Sequence, residues 1–259
     1  MLSLYIEAPF AVCRTFTAGW YRPTAKFLTP SAAYGLLLNL AGIESRLREE
    51  DERHPGSVPA TLTLTGLPRV RIALGAASVR RVRETFVEVP ESERYPRVAT
   101  VYQQLHNYPI GNAKAKGATE TPSVLGMRRA KGNKYNIAPV RREILVGLRA
   151  VIAVDGNADL EGAIQRGLGG ELQVTRYGLP FMGDNAFLLD RINLLDTPTP
   201  AHWYERVIGR DSIIRPRTTR LTIWIDRADM SRTRSELFAP STDPSTEIPS
   251  SAWVAIMPH

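Results

Sequence analysis

The sequence predicts an α+β fold with helices on one face of an antiparallel sheet, and three observations carry that reading. A length of 259 residues with 43% hydrophobic content can bury a sizeable core. Nineteen Pro and nineteen Gly interrupt the chain too often for a helical bundle. Strand-like segments outnumber the two stretches that carry clear helix start and stop signals.

The chain opens with a strand over residues 2–8, where apolar and polar residues partly alternate. Residues 9–28 form a loop holding Arg14, Trp20, Tyr21, Arg22 and Lys26. A helix starts at Thr29-Pro30-Ser31, with Thr29 as N-cap and Pro at the first helical position, and it stops at Gly42. Its apolar surface is nearly continuous, so it should pack on a sheet. Residues 44–58 are dense in charge and end in Pro55-Gly56, giving a short exposed helix or a loop. Strands follow at 69–76 and 98–104.

A basic insertion comes next, and a long apolar strand at 143–154 ends at the turn Asp155-Gly156-Asn157. Residues 158–168 form the second helix, stopped by Gly169-Gly170. Further strands are expected at 172–177, 186–195 and 218–226. The Ser/Thr/Pro-rich segment 231–251 should be irregular, and 252–257 should pair as an edge strand. No internal repeat is present. This order of strand, helix, strand, strand, helix and strands is that of ferredoxin-like folds, whose sheets often bind RNA.

Charge is local. Residues 97–149 hold ten Lys/Arg against Glu120 and Glu143, a net of +8, and the remaining chain is nearly balanced at −1, so the overall +7 belongs to this window. Lys114, Lys116, Arg128, Arg129, Lys131, Lys134, Arg141 and Arg142 are interleaved there with Tyr102, His106, Tyr108 and Tyr135. Clustered cations with stacking faces suit single-stranded nucleic acid. A solvated charged loop would usually mix signs, which this window does not.

Several classes find no support. There is no phosphate-binding Walker loop, zinc-protease helix motif or Ser-centred nucleophile elbow. Cys13 is the lone cysteine, and the four histidines are scattered, so neither a disulfide, a metal site nor a cofactor is expected. The run Gly167-Leu168-Gly169-Gly170 lacks a Lys-Ser/Thr partner and reads as a helix stop rather than a phosphate cradle. The first thirteen residues carry no basic side chain and make a poor signal peptide. The apolar stretch 32–43 is too short for a membrane span, and a reducing cytoplasm fits the composition.

Two places bear on chemistry. His106, with Tyr102 or Tyr108 and a lysine such as Lys114, has the groups a metal-independent ribonuclease would need, but the same residues equally serve stacking and phosphate contact. In Arg176-Tyr177-Gly178-Leu179-Pro180-Phe181-Met182-Gly183-Asp184-Asn185, two glycines bracket a tight loop. Either its backbone approaches a ribose-phosphate chain while Phe181 stacks, or it is a corner that buries Phe181.

Several segments carry a family resemblance. They are the opening strand, the loop with Phe10, Arg14, Phe16 and Trp20, and the helix Pro30-Ser31-Ala32-Ala33-Tyr34-Gly35-Leu36-Leu37. With them go Thr100-Val101-Tyr102-Gln103-Gln104-Leu105-His106-Asn107-Tyr108, Val140-Arg141-Arg142-Glu143-Ile144-Leu145 and the loop 177–185. In order and spacing these resemble the fifth family of CRISPR-associated proteins, in its Myxococcus-type branch found in type I Cascade complexes. About two-thirds of the chain is covered.

The resemblance implies a single domain over 1–259, an RRM-like palm with a long β-hairpin thumb inserted at about 103–139. It implies binding of the 5′ repeat-derived handle of the guide RNA (crRNA) and capping of one end of the backbone. The implied partners are the backbone subunits and the large subunit, with target DNA reached through the complex. The residues that would contact RNA are Arg14, Arg22, Lys26, Tyr102, Gln104, His106, Tyr108, Lys114, Lys116, Arg128, Arg129, Lys131, Lys134, Arg141, Arg142, Phe181 and Asn185. One branch of the family cleaves the repeat, but its Tyr/Lys/His set does not align here, so a non-catalytic role is expected. The alternatives are a metal-independent repeat endoribonuclease and a generic basic DNA-binding module, although no recognition helix is evident. A 37-residue excursion, out and back, could reach at most about 60 Å.

Overall fold

The computed structural model describes residues 1–15, 21–46, 63–82, 85–106, 137–174, 176, 178–209 and 215–258. The fold is α+β, mostly antiparallel sheet with few helices. β1 (Leu2–Ala11) alternates as its sequence requires. Leu2, Leu4, Ile6 and Ala8 face the main core, and Tyr5 faces the other side. It pairs antiparallel with the longest strand and, on its other edge, with a short one late in the chain. β2 (Tyr21–Arg22) is a two-residue strand in the loop before α1 (Pro30–Leu40).

The α1 helix begins as read from the sequence. The Thr29 hydroxyl accepts the Ala32 N–H at 3.2 Å, and Pro30 occupies the first turn. Gly42, at φ +73°, lets the chain turn back, with the Ile43 N–H donating to the Leu38 carbonyl at 2.9 Å.

β3 (Val70–Ala77), β4 (Val79–Val82), β5 (Thr85–Glu88), α2 (Glu91–Arg94), β6 (Arg97–His106) and β7 (Ile137–Asp155) follow. After the second long helix, α3 (Ala158–Gly169), come β8 (Arg191–Leu194), β9 (Ala201–Arg206), β10 (Thr219–Trp224), β11 (Arg234–Pro240) and β12 (Val254–Ile256). The strand order is β10-β11-β9-β3-β7-β1-β8, with β12 on β3 and both β2 and β6 on β7. Taken alone, β1, α1, β3, β7, α3 and β8 run strand–helix–strand–strand–helix–strand with spatial order β8-β1-β7-β3, all neighbours antiparallel.

β7 organises the site. Its inner half lies between β1 and β3, from Arg71↔Asp155 to Ala76↔Ala150 on the β3 edge. At Gly147, φ is +73°, and beyond it that edge passes from β3 to β6, in a continuous register from Arg97↔Val146 to His106↔Ile137. Val98, Thr100, Val101 and Tyr102 are all exposed, so β6 is an uncovered edge, and the β6–β7 pair, called the arm below, runs on to His106↔Ile137. The insertion read at 103–139 begins within this arm, and residues 107–136 lie outside the described residues.

The core sits between the sheet and helices α1 and α3. At Gly167 the two helices are in close contact: a Cβ there would lie 1.8 Å from the Leu40 carbonyl oxygen. Gly170 provides the left-handed cap at φ +77°. The glycine run is therefore a packing point and a helix stop. The opposite sheet face is also covered, because Tyr5, Ala73, Val151, Ala153 and Trp203 form a second buried cluster beneath Leu195, Ile248 and Trp253.

The structure corrects several readings. No strand forms at 172–174, where the chain bends. The strand expected at 186–195 shrinks to β8, with Leu188 making an isolated bridge to Phe181. Within the segment expected to be irregular, β11 inserts between β10 and β9 and buries Phe238 and Ala239. β4, β5 and β9 went unread because β9 follows Pro198 and Pro200, and β4 and β5 carry charge. Most of the charged segment 44–58 lies outside the described residues. No described helix is long and apolar enough to cross a membrane.

Candidate nucleic-acid interface

At the root of the β6–β7 arm three strands share one rung. Tyr21 of β2 pairs with Arg141 of β7 in parallel register, and Arg141 pairs with Tyr102 of β6 in antiparallel register. Residues directly opposite in a sheet point to the same face, so the arginine stands between two tyrosines. Tyr102 is 74% exposed and Tyr21 43%. The Arg141 guanidinium carbon lies 5.6 Å from the Tyr21 ring centroid, within cation–π range. Aromatic, cation, aromatic is the side-chain set that takes an unstacked base and its phosphate.

Glu143 fixes this rung. Its carboxylate accepts from the Tyr21 hydroxyl and from the Thr24 N–H at 3.0 Å. Thr24 in turn bonds both backbone groups of Cys13, its hydroxyl accepting at 2.9 Å and donating at 3.2 Å. Residues 21–24 are thereby tied to β7 and to the end of β1. The Tyr21 hydroxyl is held above its ordinary pKa, chiefly by its bond to Glu143. Burial pushes the Cys13 thiol up to about 11.

The next rung points the other way. Arg142 pairs with Arg22 and Val101, but its side chain is 6% exposed and donates to Asp184 at 2.7 Å. It also lies 5.5 Å from the Phe187 ring centroid. The Asp184 carboxylate accepts the Ala186 N–H at 3.0 Å. Burial raises its pKa, but the Ala186 N–H and the Arg142 guanidinium outweigh burial and the net shift is downward. Arg14, held by an isolated bridge to Thr24, has its pKa lowered first by burial and then by Arg142 and Arg22, with Asp184 opposing. Arg142 and Arg22 are therefore near enough to Arg14 to act on it electrostatically, with the Asp184 carboxylate among them.

The loop 178–190 supplies Asp184 and is as tight as its glycines suggested. Gly178 and Gly183 have φ of +73° and +78°. A Cβ on Gly183 would fall 1.7 Å from the Val12 carbonyl oxygen, and the Val12 N–H donates to Met182 at 3.0 Å. Met182, not Phe181, is the buried residue; Phe181 is half-buried and lines a cavity of about 220 Å³ beside α1.

No family model and no curated protein matches this chain. Among solved structures, a chain titled "CRISPR RNA-guided surveillance complex" is similar at a TM-score of 0.47 and 14% identity, over 96% of this chain and 93% of that one.

Of the residues read as RNA contacts, the structure gathers Arg14, Arg22, Arg141 and Arg142 at the arm's root, with Tyr102 on the shared rung. Lys26 is exposed in the bend before α1, and Asn185 at the turn after Asp184. Gln104 and His106 belong to β6, though their side chains lie outside the described residues, as do Tyr108, Lys114, Lys116, Arg128, Arg129, Lys131 and Lys134. Among the described residues, Arg142 and Arg149 of the basic window have carboxylate partners. Arg142 pairs with Asp184, and Arg149 pairs with Glu7 at 3.0 Å and Glu93 at 3.3 Å. Sequence reasoning missed Tyr21, Glu143, Asp184 and Phe187 as parts of the site. The adjacency of Tyr21 to Arg22 was a usable signal; the pairing of residue 21 with 141 was not readable from the chain.

Proposed function

We propose that this chain is an RNA-binding structural subunit of a type I CRISPR Cascade complex, which holds the 5′ handle of the guide RNA, caps the backbone and does no cutting. The observation that carries this reading is the Tyr21–Arg141–Tyr102 rung at the root of the hairpin, with Arg14 and Arg22 grouped around Arg142 on the adjoining rung. It offers a base two stacking faces and its phosphate the Arg141 guanidinium, in the segments on which the family resemblance rests.

The ferredoxin-like palm belongs to the same reading, supported by the β8-β1-β7-β3 order with both long helices on one face. With the sheet's other face covered, RNA would run along the arm and the 178–190 loop. The thumb at about 103–139 would lie across neighbouring backbone subunits, its lysines and arginines on their RNA. The large subunit would adjoin, and the working compartment would be the cytoplasm.

The test is to incubate the purified protein with its cognate repeat RNA in EDTA, and with duplex DNA of equal length, on native and denaturing gels. We expect weak, salt-sensitive retention of the RNA, no product, and poorer retention of the duplex. A discrete product ending in a 2′,3′-cyclic phosphate would make the protein an endoribonuclease, since attack by a 2′-hydroxyl needs no metal. A preference for the duplex would make it a DNA-binding module.

A further inference from the structure

Beside the arm's root, with which it shares Arg14, the exposed side of α1 carries a groove. A cavity of about 330 Å³ opens between α1, the end of β10 and the chain around residue 45. Three guanidiniums, Arg14, Arg46 and Arg227, line it, and its described wall contains no carboxylate. Trp224 and Leu38 supply an apolar wall. Trp224 is braced edge-on against Tyr34, with ring centroids 6.1 Å apart, and the Tyr34 hydroxyl donates to the Pro68 carbonyl at 2.7 Å.

Gly35, Ser45 and Arg46 line this cavity and also the one that reaches Phe181 and Gly183, so the two are parts of one groove across α1, whose second part is also lined by Glu44, its carboxylate accepting the Arg46 backbone N–H at 3.0 Å. Gly35 is exposed in mid-helix, where glycine costs about 1 kcal/mol relative to alanine. A Cβ built on it meets no atom within 4 Å. Helix packing does not require this glycine, and without a side chain here the groove floor is open.

We propose that this groove is a second nucleic-acid site, in which Arg14, Arg46 and Arg227 hold a phosphate of a single RNA strand while the strand crosses α1 over Gly35 toward Phe181. The site deepens the reading above and rests on it. Electrostatics agree. Burial lowers the Arg227 pKa first, and Arg46 and Arg14 lower it further, so Arg227 feels both of the other cations. An anion between them relieves that repulsion. The volume suits one phosphate with its sugar, and Arg14, which also feels Arg22 and Arg142, links this groove to the arm's root.

The test uses the full chain with a fluorescent single-stranded RNA at low ionic strength, followed by anisotropy over a salt series. Three variants are compared with the parent: the double variant R46A/R227A, Gly35→Leu, and the arm-root variant R141A. We expect R46A/R227A to weaken binding at least fivefold and to reduce the log–log salt slope by roughly 0.7 for each phosphate it no longer neutralises. Gly35→Leu should weaken binding several-fold with the slope unchanged, because it fills the groove without removing charge. Melting temperatures report whether the variants fold.

Parent-like affinity and slope in both groove variants, with weaker binding in R141A, would overturn the groove site and leave the arm-root reading standing. No RNA binding by the parent would overturn both. Displacement of the RNA by an acidic peptide at equal charge concentration would make the groove a peptide site and sink the proposal. Arms with a 5′-phosphate and a 5′-hydroxyl distinguish a terminal phosphate from an internal phosphodiester; weaker binding by R46A/R227A on either one supports the site.

Discussion

The Arg141 guanidinium lies 5.6 Å from the Tyr21 ring centroid, across a parallel rung that joins the chain's first loop to its longest strand. This contact sets the spacing of the rung, because Tyr102 occupies the other side of the same arginine.

Tyr102→Ala should reduce affinity for single-stranded RNA by about 1–3 kcal/mol, the worth of one stacked base, or roughly 5- to 150-fold in Kd. At 74% exposure it should leave stability within about 0.5 kcal/mol. Tyr21→Phe keeps the ring and deletes the bond to Glu143, so it should retain RNA binding where Tyr21→Ala does not. Anisotropy titrations with matched thermal melts check both.

Asp184→Asn should remove an acid-sensitive component of stability. The folded Asp184 pKa is depressed, so the contribution is complete above the unfolded carboxylate value of about 3.9 and disappears as pH falls through the lower folded value. Denaturant melts from pH 6 to pH 2 should show a gap between parent and variant that is constant above about pH 5 and closes only below about pH 4. A gap already closing near pH 6 would contradict the assignment.

Two glycines of one loop should respond differently to alanine. Both have positive φ, which costs a side chain about 1–2 kcal/mol. Gly178 has open space around its would-be Cβ, whereas at Gly183 that atom meets the Val12 carbonyl at 1.7 Å. Gly183→Ala should therefore lower the melting temperature well beyond Gly178→Ala and weaken RNA binding as Asp184 moves away from Arg142.

Cys13 should be inert in the folded protein. It is buried, its backbone is held by Thr24, and its thiol pKa is about 11. A chromogenic disulfide reagent at pH 8 should titrate no thiol in the native state and one after unfolding in guanidinium. Rapid native reaction would show that the β1 end and residues 21–24 part readily.

Local signals in the sequence determined the elements whose physics is local. Thr29-Pro30 and Gly42 bound α1, Gly169-Gly170 stops α3, alternation marks β1, and Gly178 and Gly183 mark a tight loop. The charge imbalance of residues 97–149 was also legible, because it is a count along the chain. Only the tertiary structure decided which of those charges face outward. Arg142 and Arg149 lie beside Asp184, Glu7 and Glu93, acids brought in from distant segments, while Arg141, one residue away on the opposite face of β7, stands exposed between two tyrosines. A strand turns successive side chains to opposite faces, so neighbouring arginines received opposite roles once β2 and β6 had chosen their register. The groove holding Arg46 and Arg227 was invisible for the same reason: its walls meet only when β10 folds back against α1.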